Sequence, residues 1–303
     1  MGKVRGRARA SYLNGLAAVG LWSTVATAFK LSLRVLHPTQ LLFFATVSSA
    51  GVLALVLLLQ GRLAATFRGL TGKQALTSAG LGVLNPFLYY LVLFQAYDRL
   101  PAQVAQPLNY TWAITLSLLA IPLQGQRPTA RDLAGIVVAY AGVVAIATRG
   151  ELLEARLFDP LGVALALGST VIWALYWIAN ARDDRDPVAG LLFNFLFAIP
   201  LTLAAALLGP GLAIASPWGL VGGLYVGVFE MGVTFVLWLR AMRLTPSTAR
   251  LSSLIFISPF LSLFFIQFIL GEPIHPFTLA GLCLIVAGVA LQQVSTHSTK
   301  SVV

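Results

Sequence analysis

Ala134-Gly135-Ile-Val-Val-Ala-Tyr-Ala141-Gly142-Val143 returns as Ala280-Gly281-Leu-Cys-Leu-Ile-Val-Ala287-Gly288-Val289. The offset from Gly135 to Gly281 is 146 residues, close to half of the 303-residue chain. Each copy falls in the last apolar segment of its half. Gly135 and Gly142 are seven residues apart, so they share a helix face. Small residues on one face let a neighbouring helix approach closely. These segments are therefore expected to be scaffold helices, packing either within the bundle or between protomers. Gly223 and Gly227 form a further small pair of this kind.

Composition sets the class around that repeat. The chain is 58% hydrophobic and 10% charged, with mean hydropathy +0.86. Soluble domains carry about 25% charged residues. A membrane-crossing helix needs about 20 mostly apolar residues. Ten such segments are predicted: about 12–32, 39–59, 74–96, 101–122, 130–148, 160–181, 188–208, 217–240, 247–270 and 276–294. The expected fold class is thus an all-α integral membrane protein of ten transmembrane helices. No cleavable signal is expected, because the first apolar run is long enough to span and lacks a clear small-residue cleavage site.

The formal charge of +10 reports orientation rather than nucleic-acid binding. With a cytoplasmic N-terminus, fifteen of the twenty Lys and Arg fall on the cytoplasmic side. Lys30, Arg34, Arg99, Arg149 and Arg156 are the other five. That is the positive-inside bias, and it predicts that both termini are cytoplasmic. Lys30 and Arg34 are expected to snorkel to the outer interface. The single cysteine, Cys283, excludes an internal disulfide and reads as a packing residue. His37, His275 and His297 are scattered, so no metal and no cofactor is expected.

Five spans per half is an odd number, so the second half must enter the membrane from the opposite side. The expected architecture is two inverted five-helix repeats, residues 1–149 and 150–303, around a central cavity. Ala96 and Pro101 match Ala241 and Pro246, Gly82-Val83 matches Gly227-Val228, and Trp22 roughly matches Trp173.

Glu230 lies near the middle of the eighth span, where an acid costs on the order of 2.5–3.5 kcal/mol to insert. Two readings stand: a substrate or proton contact, or a structural glutamate hydrogen-bonded between helices. Its counterpart in the repeat is Asn85. One turn further, Thr234 matches Tyr89, and each shares a face with its upstream partner at i, i+4. Pro86 removes a backbone donor beside Asn85. Pro107 and Pro259 are interior to the fourth and ninth spans, and all three prolines are candidate hinges.

Trp and Tyr normally gather at the membrane interface. Trp22, Trp112 and Trp173 instead fall near span centres, with Trp177 one turn from Trp173 and Asn109 three residues before Trp112. Tyr89 and Tyr90 add to them, and Ser23, Thr24 and Thr27 give the first span a polar stripe. Two readings again remain: ordinary packing, or an aromatic cavity for apolar or cationic groups.

Ten spans, two half-repeats, the Ala-Gly-x6-Ala-Gly-Val endings and Leu270-Gly271-Glu272-Pro273 resemble the drug/metabolite transporter superfamily, EamA type. The first half has Gln126-Arg127 where the second has Gly271-Glu272. Gly20-Leu-Trp-Ser-Thr24 and the tyrosine-rich third span most resemble YddG-type exporters of aromatic and other neutral amino acids. The resemblance implies that spans 1, 3, 4, 6, 8 and 9 surround a cavity supported by the others, with Glu272 structural. It also implies a transporter rather than an enzyme, working in the cell inner membrane by alternating access. Expected partners are a small-molecule substrate and membrane lipids, with protons a candidate coupling ion and no nucleic acid. Aromatic and hydrophobic neutral amino acids are the first substrate class and lipophilic cations the second. A nucleotide-sugar carrier fits less well, because the span centres lack a Lys/Arg pair for phosphate. The expected substrate site is Trp22, Asn85, Tyr89, Tyr90, Asn109, Trp112, Trp173, Trp177, Glu230 and Thr234.

Overall fold

The computed structural model describes residues 2–124, 128–150, 158–245, 251 and 253–299. Gln126, Arg127, Arg156 and Pro246, named above, and Arg250 and Lys300, counted among the cytoplasmic basic residues, lie outside the described residues.

Helix boundaries follow local chemistry. Proline opens four long helices behind a side chain that accepts from their first free N–H groups: His37-Pro38, Asp159-Pro160, Asp186-Pro187 and Ser216-Pro217. Proline costs nothing there, because that N–H has no intrahelical partner. Thr71/Gln74 and Thr129/Asp132 form reciprocal capping boxes at two further starts. The resulting elements are α1 (Gly2–Leu33), α2 (Pro38–Leu59), α3 (Gly72–Arg99), α4 (Ala102–Tyr110) and α5 (Trp112–Gln124). They continue as α6 (Ala130–Ala147), α7 (Pro160–Asn180), α8 (Pro187–Leu208), α9 (Pro217–Leu244), α10 (Leu254–Leu270) and α11 (Pro276–Thr299).

Among the described residues all regular structure is helical, and seven helices are long and apolar enough to cross a membrane: α1, α2, α3, α6, α7, α8 and α9. The other three expected segments take different forms. The segment predicted at 101–122 is broken at Thr111 into α4 and α5. Those predicted at 247–270 and 276–294 contain shorter apolar helices, Leu254–Leu270 and Pro276–Gln292.

The paired glycines meet each other. A Cβ on Gly135 would lie 2.6 Å from the Gly288 carbonyl oxygen, and one on Gly281 would lie 2.7 Å from that of Gly142. Pairing 135 with 288 and 142 with 281 makes α6 and α11 antiparallel neighbours at backbone contact. Of the two packing modes left open by sequence, this is the one within the chain. A second pair of contacts has the same form. Gly82 of α3 presses on the Asn194 backbone of α8, and Gly227 of α9 presses on the Ala45 backbone of α2.

Two long helices are not regular α. In α3 the turn Val83–Leu88 widens to a π turn, and Asn85 leaves helical geometry at φ −145, ψ 120. In α9 the turn Val226–Glu230 widens likewise. A π turn shifts every following side chain by about one residue around the helix.

Candidate substrate site

A cavity of about 150 Å³ sits between α1, α3, α4, the start of α5, α7, α9 and α10. An apolar cavity of about this size holds a benzene ring. One wall is aromatic. The Tyr89 ring stacks on Trp173 at 4.4 Å, and Trp173 meets Trp177 edge-on at 5.7 Å. Phe235 continues the wall, meeting Trp173 at 6.3 Å and Trp22 at 6.0 Å, and Trp22 packs on Trp238 at 5.5 Å. Such pairs fix ring orientation through their quadrupoles.

Polar groups enter this wall at few places. The Tyr90 hydroxyl donates to Glu230 Oε1 at 3.1 Å, and the second carboxylate oxygen, Oε2, is buried with no hydrogen-bond partner. Gln106 Oε1 and Trp177 Nε1 are likewise buried and unpartnered. All three residues line the cavity, and Glu230 is the one charged side chain among its lining residues. A buried polar atom left unpaired costs about 1–3 kcal/mol, so a ligand that pairs with it gains that energy back. Here two acceptors and one donor are free. Asn109 is already occupied: it accepts from Tyr89 at 3.3 Å and donates to Ser169 at 3.0 Å.

The cavity is closed at one end and open at the other. Phe29 packs on Phe94 at 4.9 Å and on Tyr97 at 5.2 Å, and all three rings are buried. Beyond them Lys30 Nζ donates to the carbonyls of Tyr97, at 2.6 Å, and Leu100, at 3.0 Å. This differs from the snorkelling expected of Lys30. The end of α3 leaves carbonyls without helical partners, and the ammonium satisfies two of them. Glu272 accepts the Ala102 and Gln103 N–H groups at 3.1 and 3.2 Å, tying the start of α4. At the other end Trp177, Trp238 and Ile255 are only half-buried, so the cavity opens toward the ends of α7 and α9.

Salt bridges close the surface beside that opening. Asp186 pairs with Arg62 at 3.2 Å and Arg243 at 3.3 Å. Burial acts to raise its carboxyl, but the Ala189 N–H and the two guanidinium groups outweigh it and hold it below the usual range. Arg185, bonded to Asp183 at 2.6 Å, holds that carboxyl low as well.

Of the ten site residues expected from sequence, Trp22, Tyr89, Asn109, Trp112, Trp173, Trp177 and Glu230 line the cavity. Tyr90 stands behind Glu230 as its donor. Asn85 and Thr234 are not brought to the lining. Asn85 is buried beside Tyr176, which also neighbours Asn194. Thr234 Oγ1 is spent on the Phe229 carbonyl. Both misplacements lie at the irregular turns: Asn85 itself leaves helical geometry, and Thr234 follows a π turn. The pairing of Asn85 with Tyr89 and of Glu230 with Thr234 assumed four residues per face repeat. The π turns move the face on by one, so Phe235 rather than Thr234 lies with Glu230. Of the three prolines, Pro86 lies inside the π turn, Pro107 four residues before the break at Thr111, and Pro259 just inside the regular part of α10.

Gln106, Tyr110, Phe235 and Trp238 are lining residues that the sequence reading passed over. Gln106 carried a usable signal, standing three residues before Asn109 inside an apolar segment. Phe235 and Trp238 carried none, since their placement follows from the π turn.

A family model for the EamA-like transporter family matches residues 9–148 and, separately, 160–292. An uncharacterized transporter of Archaeoglobus fulgidus is 24% identical over 283 residues, 91% of this chain and 95% of that protein. The aromatic amino acid exporter YddG of Ancylobacter novellus is 29% identical over 243 residues, 76% of this chain and 79% of that protein. One solved crystal structure superposes with a TM-score of 0.67 at 22% identity, covering 97% of this chain and 99% of that one, a likeness of fold alone. The chain, a multi-pass membrane protein with a cavity at its centre, belongs to the EamA-like transporter family.

Proposed function

We propose that this transporter exports neutral amino acids with aromatic or other apolar side chains across the plasma membrane by alternating access. The observation that carries the reading is the set of unpaired atoms in the cavity. Glu230 Oε2 and Gln106 Oε1 accept, and Trp177 Nε1 donates. A zwitterion presents the complement, an ammonium that donates and a carboxylate that accepts. The aromatic wall takes the side chain, in a space that fits one ring. Similarity to an aromatic amino acid exporter agrees with this assignment.

Ten spans in two inverted repeats, residues 1–149 and 150–303, give the mechanism its geometry. Support comes from the two family matches and from the paired glycine contacts. Exchanging the halves converts the Gly135–Gly288 contact into the Gly281–Gly142 contact, and the Gly82–Asn194 contact into the Gly227–Ala45 contact. The Lys and Arg bias puts both termini in the cytoplasm. In that orientation the cavity faces the cytoplasm, ready to load a substrate for export. Pro86, Pro107 and Pro259 serve as hinges as the halves rock. Protons are a candidate coupling ion through Glu230.

A lipophilic cation is the second reading. The lining carries one carboxylate and no cationic side chain, which suits a quaternary ammonium group as well. Counterflow in proteoliposomes separates the two. Labelled phenylalanine is expected to exchange and to be displaced by unlabelled neutral amino acids. Exchange of a cationic dye, with phenylalanine inert, would favour the second reading and reject the first.

A further inference from the structure

A second cavity, of about 510 Å³, lies on the other side of α1. Trp22, Val25, Ala26 and Phe29 face the substrate cavity, whereas Thr24, Thr27, Ala28 and Leu31 face this second one. Residues two apart differ by about 200° around a helix, so the two cavities share α1 as their wall. The second is a lateral groove completed by α9 at Trp218, Val221 and Tyr225 and by α10 at Phe265 and Ile269. At its floor Thr24 and the Tyr225 hydroxyl hydrogen-bond at 2.8 Å. Its lip is apolar and open, with Trp218 72% and Ile269 53% exposed.

One cation stands at the mouth. Arg34, in the turn that ends α1, lines the groove, is exposed, and makes no hydrogen bond or ion pair among the described residues. Trp218, at the start of α9, shares that mouth. Trp and Arg at one level mark the boundary between hydrocarbon and head groups. From Arg34 to Thr24 the helix rises about 15 Å at 1.5 Å per residue. One leaflet of a hydrocarbon core of about 30 Å has the same depth.

We propose that this groove is a binding site for one anionic phospholipid, with the phosphate on Arg34 and an acyl chain along α1 between α9 and α10. The charge at the mouth, the apolar walls and the depth all match that ligand. Arginine suits it because its planar guanidinium pairs with phosphate through two parallel hydrogen bonds. A bound chain would brace α1 from the side opposite the substrate. The site does not depend on which substrate the transporter carries.

Native mass spectrometry of the delipidated transporter, titrated with an equimolar mixture of phosphatidylglycerol and phosphatidylcholine, tests the assignment. The wild type is expected to retain one phosphatidylglycerol in preference. Arg34→Gln is expected to lose that preference by about fivefold, the worth of one basic residue near an anionic surface. Leu31→Trp, which fills the groove, is expected to lose the bound lipid, and Ile269→Trp repeats that test from α10 if Leu31→Trp does not elute as a single species. Equal retention in the wild type and Arg34→Gln overturns the proposal. So does retention in both tryptophan variants, since the head group then binds elsewhere. Displacement of the lipid by a transported solute would make the groove a side entrance for substrate and would also overturn it.

Discussion

The π turns of α3 and α9 stand at matched positions in the two halves and do different work. Around Asn85 the widened turn points its polar residue into the bundle, beside Tyr176 and Asn194. Around Glu230 it points a carboxylate into the cavity, with the Tyr90 hydroxyl donating to it. Ser49 of α2 supports the second turn by donating to the Met231 carbonyl at 2.9 Å. The difference teaches that the frame is repeated while the chemistry is not. Both halves bend the same helix against the same kind of neighbour, and one of the two bends sets a carboxylate in the cavity lining.

The comparison is broken most severely by putting an acid into the first turn. Asn85→Asp keeps the shape but leaves a charge unpaired in the bundle, a penalty of several kcal/mol. Loss of monodisperse protein on size exclusion is expected, and a stable variant with normal transport would mean that the two turns are interchangeable. Next come the glycines on which the two helices rest. Gly82→Ala and Gly227→Ala each force a Cβ against backbone and should each cost about 1–3 kcal/mol. Thermal melts in detergent should show similar losses, and a loss confined to one half would deny that the contacts are equivalent.

A smaller effect sharpens the functional side of the contrast. Trp177→Phe removes the free indole donor but keeps a ring, and should weaken amino-acid binding by about tenfold, in keeping with one hydrogen bond to a charged group. Melting temperature should change little, and unchanged affinity would remove Trp177 from carboxylate recognition. The smallest effect belongs to the surface ion pairs. Asp186→Asn should destabilise by about 0.2–1 kcal/mol at neutral pH. The Asp186 carboxyl is held low in the folded chain, so its contribution is present above the unfolded value of about 3.9 and is lost as pH falls below it. Wild-type and variant melts should therefore converge toward pH 3, and a gap that persists there would assign the effect to packing.

Most of the frame was legible in the sequence. Apolar run lengths located the helices, and the Ala-Gly repeat identified α6 and α11 as packing elements, because close approach needs small residues wherever it occurs. Trp173 and Trp177 were legible as a pair because α7 is a regular helix and spacing of four holds there. Thr234 and Asn85 were misread because a π turn leaves no mark in apolar periodicity and rotates every later side chain. Phe235 and Trp238 were missed for that reason. Lys30 was expected to snorkel to the outer interface, since a sequence does not show that the end of α3 leaves carbonyls within its reach.

The central claim is that Glu230 holds the substrate ammonium. Tryptophan-fluorescence titration with phenylalanine and with N-acetylphenylalanine, which lacks that charge, tests it directly in the wild type and in Glu230→Gln. Phenylalanine should bind the wild type at least about tenfold more tightly than its acetylated form, and the difference should vanish in Glu230→Gln, as expected for loss of a charge-assisted hydrogen bond. The same preference for the free amine in Glu230→Gln as in the wild type would contradict the account.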